Sequence, residues 1–394
     1  MTHVQQISER RYDLDWLRVL TILSVFFYHI GMFFNTSGWH VKNNETSEFL
    51  RTIMSSLHTW RLPLLLFISG AGTILASSKR TTFEFVKERH RRLLLPVIFG
   101  MLVVVPPQVY VERFDQYASY WDFYKTIFEF VAYPKGSLTW HHLWFVVYLF
   151  FFSMLALPFM NFLKSDKSDR FLGRIERFFS MKWSFQTIAL IILLCHILLH
   201  PYYPQEKHNL TSDWNYFTKL LIFFLAGMLT CSSDKLWKSL VIHRRFNLKM
   251  TLFFHFIFYF LYFLPFKTYQ QFVPFSLNDA YDYNEIFMAW STIISIIGYG
   301  RVYLSKNHQW LKPMNEAIYP FYILHQTVIL VFGFIVADWQ INLWLKLILL
   351  TVSSFVTILG IYHYLVRPFN LTRVCFGMHP RRPVKQIKQE EKVA

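Results

Sequence analysis

Three residues of the first apolar run, DLDWLRVLTILSVFFYHIGMFF, could do chemistry: Asp15, Arg18 and His29. On a helix, Asp15 and Arg18 lie three positions apart and can pair on one face. His29 follows Arg18 by eleven positions, which returns it almost to the same azimuth roughly 16 Å further along. The three therefore form one polar stripe. A guanidinium near one end can hold an anion, and an imidazole toward the other can serve as a base near neutral pH. The structural reading of the same residues is that Arg18 snorkels or only neutralises Asp15, and that His29 is a packing histidine.

The elements that must position this stripe follow from composition. Of 394 residues, 54% are hydrophobic, 20% aromatic and only 16% charged, with a mean hydropathy of +0.28. A soluble domain has no interior large enough for so much apolar surface. Apolar runs at 14–35, 55–77, 93–111, 141–162, 184–200, 215–231, 248–265, 286–304, 315–336 and 341–364 predict an all-α, polytopic membrane protein of about ten transmembrane helices in a lipid bilayer. The third run is interrupted near Pro106 and Pro107, and 117–133 is a further segment able to enter the membrane.

The formal charge of +16 in a soluble chain would suggest nucleic acid as a partner. Here the basic residues fall between apolar runs, so no nucleic acid is expected. With the N-terminus inside, Lys and Arg concentrate in 78–92, 163–183, 232–247, 305–314 and 365–394. The opposite segments carry Lys42, Arg51, Arg113, Lys125, Lys135, Lys207 and Lys267, a bias of roughly fourfold under the positive-inside rule. Both termini are expected in the cytoplasm. Cys195, Cys231 and Cys375 are scattered, which argues against a disulfide framework and a zinc site, and no metal is expected. The first run lacks a small-residue cleavage site and carries Arg18, so it is read as a retained helix. Residues 1–377 read as a single membrane domain, and 378–394 as a basic, disordered cytoplasmic tail. No internal repeat supports an inverted-repeat transporter.

The spacing Arg18–x10–His29 resembles the first-helix signature of the acyltransferase-3 family of membrane acyltransferases. RLPLLLFISGAG at 61–72, ERHRRLLLP at 88–96, HHLWFVVYL at 141–149 and YPFYILHQTVI at 319–329 are similar to further family segments in the same order. SGWHV at 37–41 and LLLPVIFGMLVVVPPQ at 93–108 look like a subgroup that modifies periplasmic glucans with succinyl groups. The resemblance implies a bacterial inner-membrane enzyme that moves an acyl group, acetyl or succinyl, from cytoplasmic acyl-CoA to a hydroxyl of an extracytoplasmic glycan. Acyl-CoA would be a co-substrate, with no permanently bound cofactor. His29 matches the family's essential histidine, proposed as the general base; Arg18 matches its basic partner; Arg89 and Arg92 match the Arg-x-x-Arg motif. A covalent acyl-histidine has no support in the sequence.

Other residues carry weaker expectations. Arg89 and Arg92 sit in a basic stretch suited to the phosphates of coenzyme A, although loops on that side are basic under the topology rule alone. Arg61 would suit the free carboxylate of a succinyl group, or snorkel at the interface. His325 beside Gln326 is either a structural hydrogen bond or part of the site. Trp144, with His141 and His142, suits interface anchoring or stacking of an acceptor, and Trp39 and His40 could line its entrance. SGAG at 69–72 could offer oxyanion donors if the helix loosens there, or serve close helix packing. The alternative function is a transporter or flippase for an anionic or glycan substrate, using the polar stripe as a path. A second enzyme alternative is N-acylation of an amino sugar.

Overall fold

Helix α1 (Tyr12–Phe34) is the axis around which the chain is built. In the computed structural model, which describes residues 10–77 and 80–381, it packs against α2 (Glu48–Ser77) and against three later helices that begin at Leu277, Leu311 and Leu343. The other elements are α3 (Thr82–Glu112), α4 (His141–Leu155) with α5 (Leu157–Leu163), α6 (Gln186–Leu199), α7 (Trp214–Cys231), α8 (Asp234–Phe263), α9 (Leu277–Tyr303), α10 (Leu311–Val336) and α11 (Leu343–Val366). Eight of these helices are individually long and apolar enough to cross a membrane; α4 and α5, bent by 52°, make a ninth candidate together, and α6 is shorter. The described residues contain isolated bridges but no strand.

Several boundaries differ from the apolar runs. Polar ends lengthen α2, α8 and α9 beyond the hydrophobic stretch, because a helix continues into the interface wherever its capping allows. The largest change is α3. Thr81 accepts from the Glu84 backbone N–H, and Glu84 accepts from the Thr81 backbone N–H, a reciprocal cap that starts the helix at Thr82. The basic stretch Glu88–Arg92 is therefore helical and not a loop. Pro106 opens a new helical turn after two π-helical segments, His90–Leu94 and Gly100–Val104. The 117–133 segment forms only short helical turns.

The SGAG stretch stays helical and serves packing. A Cβ at Gly70 would stand 1.9 Å from the Phe224 carbonyl oxygen, and one at Gly227 would stand 2.0 Å from that of Phe67. The backbones of α2 and α7 touch there, the close approach that small residues permit in lipid, where hydrophobic drive between helices is absent. Outward-facing Phe253, Phe256 and Phe260 on α8 and Leu345, Val352 and Val356 on α11 are exposed, as lipid-facing side chains are.

Two lysines fix the loop after α1. Lys346 is 1% exposed and donates to Asn43 Oδ1 (2.7 Å), Asn44 Oδ1 (3.1 Å) and the Ala337 carbonyl (2.9 Å). Lys42 donates to the Met32 carbonyl at 2.6 Å, to the Asn35 carbonyl and to Asn35 Oδ1, and its burial lowers its pKa to about 8. Both ammonium groups, buried in Lys346 and half-buried in Lys42, are satisfied by oxygen acceptors, so the loop bearing Trp39 and His40 is held over the end of α1. At the other end Arg373 donates to the His379 carbonyl (2.8 Å), and Arg381 N donates to Asn370 Oδ1 (2.8 Å). The start of the expected tail is thus docked, while 382–394 lies outside the described residues.

Candidate active site

One face of α1, running Arg18, Ile22, Val25, His29 and Met32, lines two cavities in succession. The first, about 330 Å³, holds Arg18, Arg89, Arg92, Arg80 and Glu88 at what we call the basic end. The second, about 350 Å³, holds His29, Arg61, Trp144, Trp39, His40 and four further histidines at the histidine end. Phe145 of α4 and Tyr322 of α10 line both and form the wall between them.

At the basic end cations outnumber carboxylates. Arg18 pairs with Asp15 at 3.3 Å, and Asp15 also takes Arg10 at 3.0 Å. Glu88 holds Arg80 (2.5 Å) and Arg92 (3.4 Å), and Arg92 Nε donates to the Gly377 carbonyl (3.2 Å). Arg89 donates to Thr73 Oγ1 (2.9 Å), and its guanidinium lies over Phe85. The π-helical turn beginning at His90 separates Arg89 from Arg92 and aims both at the cavity. An open hollow of about 400 Å³ shares Arg80, Glu88 and Arg92 with this cavity and adds Lys87 and Arg91. A polyanion suits this surface, since guanidinium forks bind phosphate oxygens in pairs.

The histidine end is organised differently. His29 Nδ1 lies 2.8 Å from His325 Nε2, with the rings stacked at 20°. His325 Nδ1 lies 2.5 Å from the Tyr322 carbonyl. A carbonyl only accepts, so His325 Nδ1 carries a proton and, in the uncharged pair, His325 Nε2 is an acceptor. His29 then donates its Nδ1–H to His325, which leaves the lone pair on His29 Nε2. The chain from the Tyr322 carbonyl through His325 to His29 thus sets the tautomer that a general base requires. Trp39 also stacks on the His29 ring, at 13°.

Residues outside the α1 stripe complete this shell. His142 donates from Nε2 to the Ile323 carbonyl (3.0 Å), and Tyr322 donates its hydroxyl to the His142 carbonyl (2.5 Å). Gln108 Nε2 lies 3.3 Å from His142 Nδ1 and donates to Thr327 Oγ1 (2.6 Å); Gln326 donates to Gln108 Oε1 (3.1 Å). These amides join α3, α4 and α10 around the histidine pair. A polar residue inside an apolar run was the available signal for Gln108 and Gln326.

Arg61 is 4% exposed, with its guanidinium over the Tyr28 ring at 3.3 Å. Its Nη1 reaches the Leu57 carbonyl (3.4 Å) and His58 Nδ1 (3.3 Å), and its Nε is buried without a partner among the described residues. It is a fixed positive charge in the cavity wall, not an interfacial snorkel. Trp144 is likewise buried and stacks on His208 at 4.2 Å and 12°. His208 belongs to a loop tied down by Asp213, which accepts from Tyr148 Oη (2.7 Å) and from the backbone N–H of Lys207 and His208. Burial lowers His208 to about 4, so its ring stacks as a neutral imidazole. Burial would raise Glu206 in the same loop, but the hydrogen bond from His58 Nε2 and neighbouring cations bring it down to about 2.

Comparison with known proteins agrees with this architecture. Glucans biosynthesis protein C from Escherichia coli strains K12, O6:K15:H31 (strain 536 / UPEC) and O1:K1 / APEC is 23% identical to this chain over 179 residues. The match covers 43% of this chain and 45% of each relative, so it spans less than half the length of those curated proteins. No solved structure matches. Residues 11–363 match the acyltransferase domain of the acyltransferase-3 family, a stretch that contains every residue lining the two cavities. With both cavities inside that match, among helices long and apolar enough to cross a membrane, the chain belongs to the acyltransferase-3 family.

Proposed function

We propose that this protein is a membrane O-acyltransferase that takes an acyl group from acyl-CoA at its basic end and passes it to a glycan hydroxyl at its histidine end. The observation that carries this reading is the hydrogen-bonded chain that leaves His29 Nε2 as a base, placed across one shared wall from the arginine-lined cavity. The open hollow suits the nucleotide phosphates, with Arg80 and Arg92 common to both spaces, and the cavity beyond suits the extended thiol arm. Arg18 and Arg89 supply further positive charge along that path.

In this reading His29 Nε2 takes the hydroxyl proton as the sugar oxygen attacks the thioester carbonyl. The C–O bond forms, the tetrahedral intermediate collapses, the C–S bond breaks, and the imidazolium returns its proton to the departing thiolate. The products are an ester and free CoA thiol. The Nδ1–H bond to His325 strengthens as His29 becomes cationic, which is how a fixed acceptor assists a base. Arg61 lies in the same cavity and offers charge either to the carbonyl oxygen or to the carboxylate of a succinyl group. The unpartnered Arg61 Nε favours a succinyl donor, whose free carboxylate it could bind, over acetyl. The excess of Lys and Arg on that side supports a basic end that faces the cytoplasm together with both termini, in a bacterial inner membrane.

The test is release of free thiol from succinyl-CoA or acetyl-CoA by the protein in lipid nanodiscs, with and without an oligosaccharide acceptor, alongside mass spectrometry of the acceptor. Acceptor-dependent thiol release with a mass gain of acyl size supports the reading. Movement of intact substrate across proteoliposomes without thiol release would replace it with the transporter reading.

A further inference from the structure

Three segments far apart in sequence meet at the rim of the histidine-end cavity: the loop after α1, the end of α3 and the start of α4. Each brings one metal-ligating side chain, His40, Glu112 and His141, and one ligand atom from each lies within 4.8 Å of the others. Scattered cysteines argue only against thiolate ligation, whereas this set contains no cysteine and is assembled entirely by the fold.

Hydrogen bonding accounts for part of the cluster. His40 Nδ1 is 3.0 Å from Glu112 Oε2, and Tyr133 donates its hydroxyl to Glu112 Oε1 at 2.7 Å. It does not account for His141. That ring sits edge-on to His40, with centroids 4.6 Å apart, and its Nε2 is buried with no hydrogen-bond partner among the described residues. Leaving a buried ring nitrogen unmatched is costly, and a cation shared with His40 and Glu112 would satisfy it. His141 also holds a left-handed backbone conformation, φ 36°, that a non-glycine residue adopts only when its surroundings impose it.

We propose that His40, Glu112 and His141 bind a divalent transition-metal ion, with zinc as the cation that two imidazoles and one carboxylate suit best. Zinc takes such ligands at roughly 2.0–2.2 Å in tetrahedral geometry, which sets neighbouring ligand atoms roughly 3.3–3.5 Å apart. The 3.0 Å between His40 and Glu112 is already close to that spacing, and modest side-chain rotation brings the third atom in. Tyr133 supplies the hydrogen bond that orients a ligating carboxylate. Calcium and magnesium prefer all-oxygen surroundings and suit this set less well. Three protein ligands leave a fourth position, and His40 and His141 both line the cavity that holds His29, so that position opens toward the acceptor side. The ion would also clip the Lys42-anchored loop to α3 and α4, fixing the rim of the cavity.

The inference is tested by titrating Zn²⁺ into the full-length protein in nanodiscs against a chromogenic chelator, with metal analysis after desalting. One tightly held equivalent is expected. Glu112→Gln, which keeps shape and hydrogen bonding, and His141→Ala should each weaken binding at least 100-fold, and Tyr133→Phe should weaken it roughly 10-fold to 100-fold. His29→Ala should leave it unchanged, so the result is independent of acyl transfer. Retention of α-helical circular dichroism and a monodisperse elution profile identify variants that are folded, and Glu112→Gln is the variant least able to disturb the fold. His196, His200 and Asp282 form a second histidine–carboxylate group elsewhere, and His200→Ala serves as its control. No stoichiometric zinc, or zinc lost with His200→Ala and kept in Glu112→Gln, overturns the proposal.

Discussion

The two cavities are nearly equal in size, share a wall and are lined by one face of one helix, yet they are built on opposite principles. At the basic end, long guanidinium side chains are only partly paired, and Arg18 and Arg92 remain a third to nearly half exposed. At the histidine end, short rings are locked by stacking, by backbone carbonyls and by buried amides. The first arrangement suits capture of a mobile, highly charged ligand, because adaptable cations accept several phosphate positions. The second suits chemistry, because a base contributes only when its tautomer and direction are fixed. Binding and reaction are therefore separable by mutation.

The largest effect should come from His29→Ala. It removes the group proposed to take the proton, and acceptor-dependent thiol release should fall by roughly 10² to 10⁴ in kcat. The donor KM should change little, because the basic cavity is untouched. A near wild-type kcat would end the role of His29. Arg89→Ala combined with Arg92→Ala should show the opposite pattern: a donor KM raised roughly 10-fold to 100-fold with kcat within about threefold, from the loss of charge-assisted hydrogen bonds. That defect should shrink as ionic strength rises, since salt weakens the wild-type attraction. An unchanged donor KM would remove the phosphates from this cavity.

His325 tests the interior of the histidine end. His325→Ala deletes the acceptor that holds His29 Nδ1–H, and kcat should fall roughly tenfold with a shifted pH–rate profile. His325→Gln restores an amide oxygen acceptor and should recover part of the rate. Equal rates for the two variants would make His325 a packing residue only.

The contrast between the ends also explains what the sequence could reveal. The Asp15–Arg18–His29 stripe was legible because it depends on helical period alone, and the structure pairs Asp15 with Arg18 as that period requires. A bundle of long apolar helices was legible for the same local reason, although ten runs were read where eight helices pass singly and a bent pair makes a ninth. The partner of His29 was not, since His325 lies 296 positions away and only packing of α1 on α10 brings the rings together. SGAG at 69–72 has two local meanings, and only the neighbouring helix decides between them: Phe224 presses on Gly70, so the stretch packs. The basic residues at 88–92 were legible as a charge cluster but not as a helix face, because the decisive signal was the Thr81–Glu84 cap a turn earlier. The rim of His40, Glu112 and His141 had no local pattern at all.

The smallest effect should come from the wall, and it tests whether the two ends communicate. Phe145 lines both cavities and is 4% exposed, so its ring fills space that would otherwise join them. Phe145→Leu keeps that position apolar while shortening the side chain, a change that cores tolerate better than truncation to alanine. A wider passage would let water reach the thioester while His29 is present to activate it. Acceptor-independent hydrolysis of acyl-CoA should rise about two- to fivefold, with the ratio of transfer to hydrolysis falling by the same factor, and the donor KM should stay constant because no arginine has moved. The same substitution in the His29→Ala background should leave hydrolysis at its background level, since the opened path would then lead to no base. If hydrolysis rises equally in both backgrounds, the water attacks without His29, and the wall separates the donor from solvent and not from the histidine chain.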